Sequence, residues 1–236
     1  MIDIHAHILP YIDDGAENMN VAIEMARMAY KSGVTEVVAT PHFNGCGINE
    51  IKVIYEKFVV ELSQQEIDIK VWLGMEVMAS NRMEELICAG SVMGINHSRY
   101  MLLEFPFDLP SKRMIQHIKL INQLGLTAVI AHPERYFCVQ KNPLIVIQFR
   151  EMGCIIQVNK GSILGGFGHQ VEQCSNFLLE RHAIDVIASD AHGIKKRTPD
   201  MSMIKKYITS SYSSAYAHKL LEENPMVIAR NGEWKK

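Results

Sequence analysis

Apolar residues come along this chain in short unbroken runs, separated by longer stretches where they recur every three or four positions. The runs fall at 2–5, 34–40, 69–77, 100–105, 126–131, 154–158 and 184–189. They are short and mostly rich in Val, Ile and Leu, which predicts strands buried on both faces. The longer stretches predict helices over 18–31, 50–65, 81–89, 110–124, 143–152, 171–181, 201–210 and 213–223. In the first, Val21, Met25, Met28 and Ala29 share a face, and Gly33 follows as a C-terminal stop. Strands end repeatedly at prolines, as at Pro41, Pro106 and Pro133.

Seven strands, each followed by a helix, predict a parallel sheet covered by helices. No Pro/Gly/Ser-rich linker, repeat or low-complexity run divides the chain, so one domain over residues 1–236 is expected. An open doubly wound sheet and a closed (β/α) barrel both fit this order, and the polar residues choose between them. His5 and His7 end the first strand, His42 follows the second, and Glu76 lies near the end of the third. Glu104 lies near the end of the fourth, His132 ends the fifth, and Asp190 and His192 end the seventh. Asp14 sits in the loop after the first strand. In a barrel these ends converge on one face, where active sites are built. An open sheet would spread them along an edge.

The residue types add chemistry. In an extended chain positions i and i+2 point the same way, so His5 and His7 present two imidazoles to one point. Neutral imidazole and carboxylate are ligands of Zn, Mn and Fe. Five His and four carboxylates exceed what one tetrahedral ion can use, so two or three ions fit the count. Such a cluster lowers the pKa of bound water to about 7 and clamps an in-line phosphoryl displacement. Arg135, three residues after His132, and Arg197, seven after Asp190, are placed to reach a phosphate oxygen, which guanidinium suits.

Composition narrows the picture further. The chain is 48% hydrophobic and 21% charged, with a formal net charge of −2. That excludes an extended disordered protein and gives no support to nucleic-acid binding. Five cysteines form no CxxC pair, which argues against a disulfide framework and reads as small buried hydrophobes in a reducing compartment. The 14 methionines fall on apolar helix faces and read as packing. His97, His117, His169, His182 and His218 read as surface residues. The start, Met-Ile-Asp-Ile-His, lacks the features of a signal peptide, and no apolar run approaches the roughly 18 residues of a spanning helix. A cytoplasmic protein without membrane insertion is expected.

Other chemistries find no motif. There is no Cys-x5-Arg for a cysteine phosphatase, no GxxxxGK[ST] and no GxGxxG; residues 161–166 read as a rim loop. An amidohydrolase is disfavoured because Glu76 and Glu104, with no bridging lysine, stand at the third and fourth strands.

The segments Met-Ile-Asp-Ile-His-Ala-His-Ile-Leu-Pro, Ile-Asp-Asp-Gly, Ala-Thr-Pro-His, Gly-Met-Glu, Leu-Leu-Glu-Phe, Ala-His-Pro-Glu-Arg-Tyr and Ala-Ser-Asp-Ala-His-Gly occur in that order from residue 1 to about residue 200. Together they resemble the PHP (polymerase and histidinol phosphatase) superfamily, and within it the bacterial manganese-dependent protein-tyrosine phosphatases of capsule and exopolysaccharide loci. The resemblance implies a distorted (β/α)7 barrel holding three divalent ions, manganese first, with iron or zinc as alternatives. It implies His5, His7, Asp14, His42, Glu76, Glu104, His132, Asp190 and His192 as ligands. Arg135 and Arg197 would bind the phosphate, and His42 is a candidate proton donor. The implied substrate is the phosphorylated C-terminal tail of a bacterial tyrosine kinase. A small-molecule phosphatase acting on histidinol phosphate and a non-catalytic kinase partner are the alternatives. Residues 44–49, with two glycines, depart most from the resembled pattern, and the segment after residue 200 carries no assignment.

Overall fold

Strands that are apolar on both sides need cover on both sides, and the chain supplies it with an outer layer of helices and a filled interior. The structure, a computed structural model, describes residues 1–45 and 47–234. Its strands are β1 (Ile2–Ala6), β2 (Glu36–Ala39), β3 (Lys70–Leu73), β4 (Glu76–Met78), β5 (Tyr100–Glu104), β6 (Thr127–Ala131), β7 (Ile155–Asn159) and β8 (Val186–Ala188). They pair in chain order as β1-β2-β3 and β4-β5-β6-β7-β8, all parallel. Two isolated parallel bridges connect the sheets, His42 with Glu76 and Ala6 with Ala191. The result is a distorted barrel, the closed alternative anticipated from the strand-end polar residues.

The third expected strand, 69–77, is broken into β3 and β4 at Gly74-Met75. Gly74 passes close under a neighbouring turn: a Cβ there would stand 3.1 Å from Ile95 Cα. Its N–H still donates to Ala39 O, whereas the Glu76 N–H donates to Pro41 O. The break hands the ladder from β2 to β5 and sets Glu76 at the start of a strand rather than near the end of one. The flanking apolar residues Leu73 and Met75 let the run read as one strand.

Helices α1 (Met19–Lys31), α2 (Ile48–Gln64), α3 (Met83–Cys88), α4 (Ser111–Gln123), α6 (Ile145–Glu151), α8 (His169–Glu180) and α9 (Ser202–Ser211) occupy the expected stretches. The Asn18 side chain accepts from Val21 N–H and caps α1. The short helices α5 (Phe137–Lys141) and α7 (Lys160–Ile163) stand where loops were expected. In α7, Ser162 is fully buried, so the start of the stretch read as a rim loop is an inward-facing helical turn. The expected helix 213–223 is α10 (Ser214–His218) followed by a π-helical turn, Lys219–Glu223, and then α11 (Asn224–Ala229).

Period 2 sorts each strand's residues into two cores. Tyr100, Leu102, Val129, Ala131, Ile155, Val186 and Ala188 form one cluster with Ile228 and Ala229 of α11. Met101, Leu103, Ala128, Ile130, Ile156, Val158 and Ile187 belong to the larger cluster, shared with the surrounding helices. The segment after residue 200 thus helps to fill the interior, beneath the strand ends. Of the cysteines, Cys154 and Cys174 are buried as expected, but Cys138 is half-buried and Cys88 is exposed. Cys88 is the last residue of the short helix α3, in which Met83 is the buried residue. Cys46 lies outside the described residues. His97, His169, His182 and His218 are exposed, as expected, and His117 is half-buried.

Candidate metal centre

The face at the C-terminal ends of the strands draws together all nine side chains expected there. Their donor atoms form four overlapping groups, each with its atoms within 4.8 Å of one another. These are His7, Asp14, His42 and His192; His5, His7 and Asp190; His5, Glu76 and His132; and His42, Glu76 and Glu104.

Glu76 is the hub. Its Oε2 lies 3.3 Å from His5 Nε2, 3.2 Å from His7 Nε2 and 3.2 Å from His42 Nδ1. Its Oε1 lies 3.0 Å from His132 Nε2. Asp190 is the second hub: Oδ1 stands 3.4 Å from His5 Nε2, 3.5 Å from His7 Nε2 and 3.6 Å from His192 Nδ1. Glu104 reaches toward His132 at 3.6 Å and His42 at 3.7 Å. Asp14 stands at the rim, 65% exposed, 3.4 Å from His192 and 3.8 Å from His42.

Backbone placement is costly here. His132 has φ 33°, Asp190 φ 50° and Arg197 φ 47°, the left-handed region that side chains rarely adopt. Strain of this kind persists where the surroundings impose it, and it collects at functional sites. Gly15 shows the same crowding: a Cβ there would meet His7 O at 2.1 Å.

A supporting layer holds the donors, and it was not anticipated. His7 Nδ1 bonds Asp13 Oδ2 at 2.7 Å, and the same oxygen accepts from His42 N–H. His5 Nδ1 bonds Gln157 Oε1 at 2.8 Å; Gln157 donates to Asn159, and Asn159 donates to Asp190 Oδ2 at 2.5 Å. Fixing the far nitrogen orients the ring and its tautomer, leaving Nε2 for the centre. Arg135 and Arg197 also meet at Asp190 Oδ2, at 3.5 Å and 2.5 Å. Buried Glu134 accepts from Ser162 Oγ–H at 2.6 Å and from Asn159 N–H at 3.1 Å, tying the Pro133–Arg135 turn to α7.

The protein's own charges push neighbouring groups apart. Burial works to lower His7, but the Asp13 and Glu76 hydrogen bonds outweigh it and raise it to about 10. Burial, with Glu76 nearby, pushes Glu104 up to about 7. Burial and His7 bring His192 down to about 4. Burial alone would raise Asp190, but His5, His132 and Arg197 hold it below the ordinary carboxylate range. Opposed shifts within one cluster mark a functional site.

The donor set fits divalent cations on the structure's own terms. Asp190 Oδ1 is buried without a hydrogen-bond partner, although three imidazole nitrogens face it. His5 Nε2 and His7 Nε2 face each other at 3.2 Å, an arrangement that neutral rings sharing a cation would satisfy.

Comparison with known proteins agrees with the geometry. The family described as "Capsular polysaccharide synthesis, CpsB/CapC" matches residues 1–230. Tyrosine-protein phosphatase YwqE of Bacillus subtilis is 34% identical over 235 residues, 98% of this chain and 92% of that protein. Tyrosine-protein phosphatase CpsB of Streptococcus pneumoniae is 30% identical, over 97% of this chain and 98% of its own length. A crystal structure from work on those two proteins, described as unique metal-dependent tyrosine phosphatases, superposes with a TM-score of 0.92 at 33% identity, covering 100% of this chain and 96% of that one. The phosphotriesterase homology protein of Escherichia coli, 12% identical with a TM-score of 0.63 over 95% of this chain and 96% of that one, shares the barrel fold. With its motifs in order, its barrel closed around them and a family match along nearly its whole length, the chain belongs to the CpsB/CapC family.

Proposed function

We propose that this chain is a metal-dependent protein-tyrosine phosphatase in which His5, His7, Asp14, His42, Glu76, Glu104, His132, Asp190 and His192 hold three divalent ions, manganese first. The carrying observation is the convergence of nine donors into four overlapping groups with two arginines at their edge. Bound there, the ions supply Lewis acidity and an activated water. The chain's own residues do the rest. Arg135 and Arg197, held beside Asp190, present their guanidinium donors to the equatorial phosphoryl oxygens and take up charge as the bond to the leaving group loosens. Asn159 keeps Asp190 aimed inward meanwhile. Tyrosinate has a conjugate-acid pKa near 10 and leaves with little acid assistance. His42 is the most exposed of the five imidazoles at 31%, yet both its nitrogens face cluster carboxylates, so its place is with the ligands.

The substrate we favour is a phosphotyrosine protein, the C-terminal tail of a bacterial tyrosine kinase in capsule or exopolysaccharide synthesis. The open rim at Asp14 and His42 suits a chain laid across the site. So do the exposed apolar side chains Tyr11, Met78, Phe107, Phe137, Leu164 and Ile194, each at the end of a different strand or in the segment that follows it. No helix among the described residues is long and apolar enough to cross a membrane, and we place the protein in the cytoplasm as a single domain over 1–236.

The deciding experiment measures metal content in protein purified without chelator alongside turnover of a phosphotyrosine peptide and of histidinol phosphate. Multiple equivalents of metal with preference for the peptide is the expected result; preference for histidinol phosphate would transfer the assignment to small-molecule hydrolysis. Two substitutions bear on individual roles. Arg135→Lys should lower kcat/KM for the peptide by about 10–100-fold with metal content unchanged, because an ammonium cannot reproduce the guanidinium's paired donors. Asp13→Ala should cost about 10–100-fold in metal affinity or activity, the usual effect of removing an imidazole's outer partner. Metal titration and steady-state rates check both.

A further inference from the structure

Arg135 is clamped between two aromatic rings, and neither was singled out by the sequence. Its guanidinium carbon lies 4.6 Å from the Phe107 ring centroid and 4.7 Å from that of Phe167. The rings come from different loops, one between β5 and α4 and the other between α7 and α8. Both cation–π contacts steady the guanidinium, whose Nη1 faces Asp190 Oδ2 at 3.5 Å.

The two rings are not equivalent. Phe107 is built into the wall of the centre. Its ring stands edge-on to His132 at 6.3 Å and leans on buried Tyr136 at 6.2 Å. Its carbonyl accepts from Phe137 N–H at 2.9 Å, which fixes the loop against α5. It is nonetheless 37% exposed, beside the arginine that would hold a phosphoryl group. Phe167 is half-buried and lies between Arg135 and Arg197, 5.9 Å from the latter.

Building on the function proposed above, we propose that Phe107 is the specificity-determining wall for the leaving group, packing against the aryl ring of a phosphomonoester whose phosphoryl oxygens lie on Arg135. A preformed ring that is 37% exposed favours a flat aromatic partner over a short alkyl chain. The protein would thereby select aryl over alkyl phosphate by contact as well as by leaving-group reactivity. Phe167 also packs on the guanidinium and serves to position it.

Binding can be read without turnover. Phenylphosphonate and methylphosphonate are titrated calorimetrically into the metal-loaded protein, and the ratio of their Kd values is compared between variants. The native protein should favour the phenyl compound. Phe107→Ala should weaken phenylphosphonate by about tenfold and methylphosphonate by no more than about twofold. Phe107→Tyr, which keeps the ring, should preserve the ratio, and Phe167→Ala should weaken both ligands alike. An unchanged ratio in Phe107→Ala, no phenyl preference in the native protein, or a ratio that shifts in Phe167→Ala instead would overturn the proposal. Loss of phosphotyrosine-peptide turnover in native protein would refute the proposed function separately, with the phosphonate ratio still readable.

Discussion

Glu76→Ala should lower kcat/KM on a phosphotyrosine peptide by three orders of magnitude or more, about 4 kcal/mol of transition-state stabilisation. Four imidazoles converge on this one side chain. Its two oxygens lie within 3.3 Å of nitrogens from His5, His7, His42 and His132, and it belongs to two of the four donor groups. At 1% exposure it has no water to replace it. Removing it takes the negative charge from between four imidazoles and opens a gap where two sites meet. Metal content per chain should therefore fall together with rate. The comparison with Glu76→Gln separates the causes: the amide restores volume but not charge, so it should recover folding and little activity. A Glu76→Ala protein with full metal content and a rate within tenfold of native would show that the donors do not act as one cluster.

How much of this was legible in advance depends on what kind of signal each residue leaves. The nine donors announce themselves because polar residues at the ends of apolar strands are costly unless used. Their recurrence at the same end of successive strands pointed to closure as well as to metal. Their supports leave fainter traces. Gln157 and Asn159 alternate with apolar residues on β7, so period 2 could have flagged two amides facing the interior. Asp13 adjoins Asp14 in the loop after the first strand and makes a turn there, accepting from Gly15 N–H; its bond to His7 depends on a fold that sequence spacing does not encode. The left-handed backbone at His132 and Asp190 is likewise imposed by packing, since neither residue type demands it. Phe107, Arg135 and Phe167 come from three separate loops, and nothing local links them. The break at Gly74 was hidden among apolar neighbours, and α11 lies past 213–223, the last helical stretch the pattern predicted.

Exhaustive chelation should abolish phosphatase activity, Mn²⁺ should restore it, and the melting temperature should fall by about 5–10 °C in between. The size follows from linkage: ligand at about 100 times its Kd stabilises the folded chain by about 2.7 kcal/mol. For a chain of this length each kcal/mol moves Tm by about 2–4 °C. The direction follows from the site. Without cations, Glu76, Asp190 and Glu104 share a buried space with imidazoles too close to one another to be comfortable neutral, such as His5 and His7 at 3.2 Å. Protonated histidines can compensate only in part, which is how His7 comes to be raised to about 10. Asp190 Oδ1 stays buried without a hydrogen bond. The chain should nevertheless stay folded, because both hydrophobic clusters are built from apolar side chains and the strand ladders from backbone hydrogen bonds. Calorimetry and near-UV circular dichroism on the same chelated sample would therefore show a lower transition with native packing retained. An unchanged Tm beside lost activity would mean ions that act in catalysis without a shared buried cluster, and activity that survives chelation would remove metal from the mechanism altogether.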